Sequence, residues 1–174
     1  MTEDTKKTKG GGSKLSRSEI TTVRLDPKLR YLAEIAARKQ RRTLSSFIEW
    51  AIEDSLKRFP IQEWDDGEVI LMSRAEQLWD VDEADRLVKL ALYFPDLLTH
   101  DEQVIWKLIR ENGAVWRGRY RKIDGVWEWT VQESSMVFPV LRKYWPAFKA
   151  VALDGASPEI LPEWERKDPD NAPF

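Results

Sequence analysis

The apolar and polar positions of residues 19–59 change their spacing twice along the chain. Residues 20–25 alternate and are rich in β-branched side chains, which predicts a short strand. Successive side chains of a strand point to opposite faces. The two predicted faces are Thr21, Val23 and Leu25 on one side and Ile20, Thr22 and Arg24 on the other.

Two helices are predicted to follow this strand. Asp26 suits the N-cap of the first helix and Pro27 its first position. A basic run at residues 38–42 closes that helix, Thr43 caps the second, and Pro60 ends it. The apolar residues at helical spacing are Leu29, Leu32, Ala33, Ile35 and Ala36 in the first helix and Phe47, Ile48, Ala51, Ile52, Leu56 and Phe59 in the second.

One strand and two short helices cannot bury a sufficient core within a single copy of about forty residues. The lone strand also leaves its backbone donors and acceptors unpaired. Two copies solve both problems if they pair their strands into an antiparallel ribbon and interlock their helices. The pattern therefore predicts a homodimer.

The order of these features resembles the ribbon-helix-helix family of DNA-binding proteins. The features are a strand, Asp-Pro, a helix, a basic turn, Thr-Leu-Ser-Ser and a second helix, over residues 19–59, about a quarter of the chain. The resemblance implies that the paired strands enter the major groove of double-stranded DNA, as other β-ribbon readers do. The expected fold class is α+β, with a ribbon-helix-helix domain at residues 19–60.

The resemblance assigns base reading to the outward face of the ribbon, at Thr22 and Arg24, with Ile20 at its edge. The residue types fit, because Arg bonds bidentately to guanine and Thr bonds to bases or touches a thymine methyl group. It assigns phosphate binding to the start of the second helix, where free N–H groups and the helix dipole attract anions. The expected phosphate-binding residues are Thr43, Leu44, Ser45, Arg41 and Arg42.

The turn between the helices departs from the family pattern, which has a Gly there. Gln40-Arg41 occupies the turn, so we expect a non-Gly residue with a positive φ. Residues 1–18 are basic and poor in apolar residues, which is typical of a disordered arm. This arm either contacts phosphates through Lys14 and Arg17 or only aids solubility.

Residues 61–153 predict a mostly helical, Trp-rich second domain, and residues 154–174 an acidic, Pro-rich, irregular tail. We expect a linker or packed crossing at 60–67, helix caps at Asp80 or Asp82 and at Thr99, a helix stop at Gly113, and a final helix at 134–153. Between Gly113 and that helix, the period predicts a hairpin with a two-residue Asp124-Gly125 turn, pairing Tyr120 with Trp129 and Arg121 with Glu128.

Each face of this hairpin has two interpretations. Arg117, Arg119 and Arg121 form either a second nucleic-acid contact or a solvated row. The opposite face, with Trp116, Trp127 and Trp129, either packs against a helix or binds a ligand or partner. His100 lies in a predicted helix cap and is expected to be structural or solvent-facing.

Charge is distributed unevenly between the two parts. Residues 1–60 hold 14 Lys and Arg against 8 Asp and Glu, a net of +6. Residues 61–174 hold 14 against 22, a net of −8. A basic module joined to an acidic remainder favours an anionic partner at one end.

Other features narrow the functional class. The chain has no Cys and one His, and it shows no Gly-rich phosphate loop or nucleophile motif. We therefore expect no metal, no cofactor and no enzymatic activity. No apolar run approaches a membrane span of roughly 18 residues, and the N-terminus lacks a signal-peptide core. The expected location is the cytoplasm, in association with the nucleoid.

The sequence thus predicts a dimeric, sequence-specific DNA-binding protein, a transcriptional repressor or regulator. Its second domain would mediate higher oligomerisation on DNA or bind a protein partner. Two alternatives keep the DNA-binding role: a plasmid-partition or relaxosome accessory protein, and an antitoxin. Two others belong to different functional classes: a protein–protein scaffold whose ribbon only dimerises, and a protein whose second domain is an enzyme targeted to DNA.

Overall fold

The computed structural model describes residues 21–64 and 67–164. The chain divides into two compact units, Met1–Ser73 and Arg74–Phe174, here called the N-terminal and C-terminal units. Helices and two small antiparallel hairpins make up the described residues, in agreement with the α+β class.

The N-terminal unit contains helices α1 (Pro27–Lys39) and α2 (Leu44–Leu56). The Asp26 carboxylate accepts hydrogen bonds from the Lys28 and Leu29 amides at 2.9 and 3.3 Å, as expected of an N-cap. Residues 21–26 have neither helical nor strand structure in the single chain. A ribbon needs the strand of a second copy, so the ribbon remains a prediction.

A hairpin stands where the sequence predicted a linker or packed crossing. Strands β1 (Pro60–Trp64) and β2 (Gly67–Ile70) pair antiparallel, and Trp64 opposes Gly67. Both strands belong to the N-terminal unit, so residues 60–67 do not separate the two units. The base of the hairpin lies shortly after the end of α2, where the Leu71 amide donates to the Phe59 carbonyl at 2.9 Å.

The C-terminal unit is built on helices α3 (Ala75–Leu78), α4 (Glu83–Tyr93), α5 (His100–Glu111) and α6 (Phe138–Leu153). Two predicted caps are confirmed: Asp82 accepts from the Ala84 amide, and Thr99 forms a capping box with Glu102. Helices α4, α5 and α6 enclose one core. Its members include Leu87, Val88, Ile105, Trp106, Ile109, Trp116, Leu141, Trp145 and Phe148.

The second hairpin, β3 (Gly118–Tyr120) with β4 (Trp127–Trp129), has a different register from the predicted one. Tyr120 opposes Trp127, not Trp129, and Arg119 opposes Glu128. The Arg121 amide donates to the Val126 carbonyl, which places these two residues opposite each other. The loop between them is therefore longer than two residues. A shift of two residues keeps every side chain on its face, so the alternating pattern cannot distinguish the two registers.

Two further predictions need correction in this unit. Gly113 does not stop α5 through a positive φ. Instead, a Cβ at Gly113 would lie 3.0 Å from the Trp129 ring, so the glycine allows this ring to approach the backbone. The last helix begins at Phe138, four residues later than predicted, because residues 133–135 form a separate 3-10 turn. It runs through Pro146 as a single helix.

Part of the predicted irregular tail packs against the second hairpin. The Trp164 ring stacks on Trp127 with centroids 3.8 Å apart, and its Nε1 donates to the Tyr120 hydroxyl at 2.9 Å. The Asn112 side chain donates through Nδ2 to the Pro162 carbonyl at 2.9 Å. The chain therefore returns to the aromatic face of the hairpin after α6.

Within the described ranges, no helix is both long and apolar enough to cross a membrane.

Candidate nucleic-acid interface

The start of α2 presents backbone donors to solvent. The Thr43 hydroxyl accepts from the Ser46 amide at 3.2 Å, and the Thr43 carbonyl accepts from the Phe47 amide at 2.9 Å. No described residue accepts from the amides of Leu44 and Ser45. The first turn of a helix leaves such N–H groups free, and the helix dipole adds partial positive charge there. This end of α2 is therefore suited to an anion.

The turn before α2 is a Schellman motif centred on Arg41. The Arg42 amide donates to the Ala37 carbonyl at 2.9 Å and the Arg41 amide to the Arg38 carbonyl at 3.0 Å. Arg41 has a φ of 56°, so the expectation of a non-Gly residue with positive φ is confirmed. A side chain in this region costs energy that Gly avoids. The chain places a cation at the position where backbone geometry favours glycine.

Arg42 lies over the ring of Trp50, with its Cζ 5.7 Å from the ring centroid. Trp50 in turn contacts Phe47, with ring centroids 5.6 Å apart. A cation held on an aromatic face keeps fewer side-chain rotamers, so this contact restrains Arg42 next to the free amides of α2. Arg42 and Trp50 are eight positions apart and Arg42 precedes α2, so the apolar spacing of that helix did not predict their contact.

The residues expected to read bases lie before α1. Thr22 and Arg24 are both exposed, in the segment that leads into the Asp26 cap. Ile20, Lys14 and Arg17 lie outside the described residues. The structure therefore supplies positions for two of the three proposed base-reading side chains.

Ion pairing separates the basic residues of this unit into two groups. Each of four cations lies within ion-pair distance of a carboxylate four residues away, namely Arg30 and Arg38 on α1 and Lys57 and Arg58 just after α2. Hydrogen bonding to Glu53 raises the pKa of Lys57. In contrast, no described carboxylate pairs with Arg24, Arg41 or Arg42. Arg24, Arg41 and Arg42 therefore carry charge that no described carboxylate balances, as do Lys28 and Lys39.

The apolar face of α1 and α2 is largely uncovered. Among the described residues of the N-terminal unit, only Ala37 is buried. Leu32 is 52% exposed and Phe59 is 54% exposed, values that are unusual for large apolar residues at regular helical spacing. The other exposed apolar side chains of this unit are Val23, Leu29, Tyr31, Ile35, Trp50 and Ile52. Exposed apolar side chains this numerous on two short helices are typical of an interaction surface.

The arginine row of the second hairpin is divided by its contacts. Arg121 donates to Asp124 through both Nε, at 2.8 Å, and Nη2, and this pairing lowers the pKa of the Asp124 carboxyl. Arg119 lies 4.0 Å from Glu128, and Arg117 has no carboxylate partner in the described chain. The predicted Arg121–Glu128 pair is therefore wrong, because the longer loop places Asp124 beside Arg121.

The aromatic face of the same hairpin packs within the unit. Trp116 is fully buried and donates to the Ile109 carbonyl at 2.9 Å, while Trp129 donates to the Arg110 carbonyl at 3.2 Å. Trp164 covers Trp127. These contacts favour the packing interpretation of the tryptophan cluster over a ligand pocket.

Among the described residues, no group of three or more His, Cys, Asp or Glu side chains is arranged to hold a metal ion. His100 is exposed at the first position of α5, as expected. No family model matches the chain, and no curated protein or solved structure is significantly similar to it.

Proposed function

We propose that the protein is a homodimer that binds double-stranded DNA in a sequence-specific manner through its N-terminal unit and regulates transcription. The observation that carries the proposal is the uncovered apolar face of α1 and α2. A second copy would cover this face and supply the strand that residues 20–25 lack. The ribbon made by the two strands would then present Thr22 and Arg24, with Ile20 at its edge, to the major groove.

The arrangement at the start of α2 supports the DNA-binding part of the proposal. Free amides, an unpaired Arg41 and an Arg42 restrained on Trp50 lie at one end of this helix. In the proposed complex they contact the phosphates that flank the groove, and Lys14 and Arg17 of the N-terminal arm add further phosphate contacts. Phosphate contacts fix the orientation of a protein on DNA, whereas base contacts give specificity.

The first experiment identifies the DNA site. Full-length protein is used to select bound fragments from a random pool, and the selected sites are mapped by footprinting. We expect a palindromic or repeated site, because a two-fold symmetric dimer reads two half-sites. Binding should be saturable and should weaken steeply with salt. A chain that dimerises without saturable DNA binding would instead be a scaffold.

A substitution then tests the groove assignment. Arg24→Ala should reduce the preference for the selected site by about 1–3 kcal/mol per copy, because a bidentate contact to guanine is lost. Arg30→Ala is the matched control, since it removes the same charge from an arginine that pairs with Glu34 on α1. The dimer should persist in both variants. Unchanged site preference in Arg24→Ala would show that the ribbon does not read the groove through this residue.

A further inference from the structure

The C-terminal unit contains a polar cleft between the second hairpin and the turn before α6. The cleft has a volume of about 340 Å³, and its lining includes Arg117, Arg119, Glu128, Thr130 and Ser135. This volume is at the lower end of the range for small-molecule sites, so it suits a small group and not a large ligand.

Charge in the cleft is positive on balance. Arg117 has no carboxylate partner among the described residues, and Arg119 lies at the limit of ion-pair distance, 4.0 Å from Glu128. Arg121, the third member of the row, does not line the cleft and is paired with Asp124. The lining of the cleft therefore holds two guanidinium groups and one carboxylate. Guanidinium groups bind phosphoryl oxygens through two parallel hydrogen bonds.

A hydroxyl with no partner lies in the same cleft. Ser135 lines the cleft, and its hydroxyl forms no hydrogen bond with any described residue, so it is free to donate to a bound group. The backbone fixes its position relative to the arginines, because the Arg117 amide donates to the Ser135 carbonyl at 2.6 Å. Trp116 and Met136 form a β-bridge beside this contact.

We infer that this cleft binds a phosphoryl group, held by Arg117 and Arg119 with a hydrogen bond from the Ser135 hydroxyl. The phosphoryl group belongs either to a small phosphomonoester or to the phosphodiester backbone of a nucleic acid, since both present negatively charged, non-bridging phosphoryl oxygens. The site is independent of the proposed interface on the N-terminal unit. The C-terminal unit would then bind an anion although the net charge of that unit is itself negative.

The test follows arginine side-chain N–H signals of the full-length protein by NMR during titration with inorganic phosphate, at constant ionic strength. We expect saturable shifts for Arg117 and Arg119. Arg117→Ala should weaken binding about tenfold, because a charged hydrogen-bond donor is lost, and Ser135→Ala should weaken it by a smaller factor. Lys107→Ala is the control, since it removes one exposed positive charge of α5 outside the cleft.

Two more titrations identify the source of the phosphoryl group. Shifts of the same signals with glycerol phosphate but not with duplex DNA assign a small phosphomonoester, and shifts with duplex DNA assign the nucleic-acid backbone. Linear shifts spread over all exposed arginines would overturn the inference, as would unchanged affinity in both Arg117→Ala and Ser135→Ala. Arg117→Gln, which keeps a polar stem, serves as a second variant if the alanine variant does not fold.

Discussion

The two units of this chain differ in where their apolar residues find partners. In the C-terminal unit, residues far apart in sequence meet in one core, and side chains such as Trp116 and Phe148 are fully buried. In the N-terminal unit, equally large side chains recur at helical spacing but stay exposed. By this criterion the C-terminal unit is complete within one chain, and the N-terminal unit is not. Regular apolar spacing without burial is thus the feature on which the proposed dimer rests.

The units also differ in their ion pairs. Those of α1 and α2 join residues four positions apart on exposed helix surfaces, where each contributes little to stability. In the C-terminal unit some ion pairs join different elements: Arg142 of α6 binds the buried Asp85 of α4, with Nε 2.9 Å from Oδ1. Asp85 is only 2% exposed, so its charge needs this partner. Long-range ion pairs therefore add to the completeness of the C-terminal unit.

The largest expected effect comes from truncating a side chain in the complete core. Phe148→Ala should lower the unfolding free energy of the C-terminal unit by about 3–5 kcal/mol, because it leaves a cavity among fully buried side chains. Urea denaturation measures this, and the loss should not depend on protein concentration. Phe59→Ala makes the same change at an exposed position of the N-terminal unit and should leave C-terminal stability unchanged. Equal losses in that unit would contradict the division into two units.

The next effect tests whether a second copy completes the N-terminal unit. Leu32→Ala should weaken dimerisation by about 1.5–3 kcal/mol for each copy, because it removes apolar area that the partner would bury. Sedimentation equilibrium measures the dimer constant. Leu32→Met roughly conserves volume and should leave the constant nearly unchanged. A monomeric wild-type protein with a stable N-terminal unit would refute the dimer and the comparison drawn from it.

A smaller effect is expected when acid protonates Asp80, which pairs with Lys89 of α4. The hydrogen bond from Lys89, helped by one from the Asp82 amide, lowers the pKa of Asp80 below its ordinary value of 3.8. A carboxyl with a lowered native pKa stabilises the fold above its unfolded pKa, and that contribution is lost as pH falls through the native value. The stability difference between wild type and Asp80→Asn should therefore shrink below about pH 4. A difference that stays constant to pH 2 would contradict the assigned pKa direction.

The smallest effect isolates the strained turn. Arg41→Gly should stabilise the N-terminal unit by about 1 kcal/mol, because glycine adopts a positive φ without strain. The same change should weaken DNA binding and reduce its salt dependence, since one phosphate contact is lost. Arg42→Gly is the control for charge: it removes a cation where φ is not positive, so no stabilisation is expected. Thermal unfolding and binding at two salt concentrations distinguish the effects.

Features encoded by neighbouring residues were predictable from the sequence. The Asp26 and Thr99 caps and the positive φ of the Gln40-Arg41 turn depend on contacts within a few positions, and all three are confirmed. The hairpin register was wrong because period-two alternation is unchanged by a shift of two. The role of Gly113 depends on where the Trp129 ring lies, and that is decided by tertiary packing.

The candidate sites follow the same rule. Thr22, Arg24 and the start of α2 follow from a local order of elements, so sequence sufficed to propose them. The stacking of Arg42 on Trp50 and the grouping of Arg117 with Ser135 depend on side-chain placement across a turn or between elements. Trp164 shows the limit most clearly, because it meets Tyr120 across 44 positions of the chain.

The uncovered face of α1 and α2 has a consequence for gene dosage. If DNA is bound only by the dimer, and dimers are scarce at low abundance, the amount of binding-competent protein varies with the square of the chain concentration. Halving synthesis then lowers the occupancy of a weakly filled site about fourfold, not twofold. A regulator built in this way responds to its own abundance more steeply than a monomeric one does, and the steepness originates in side chains such as Leu32 that never touch DNA.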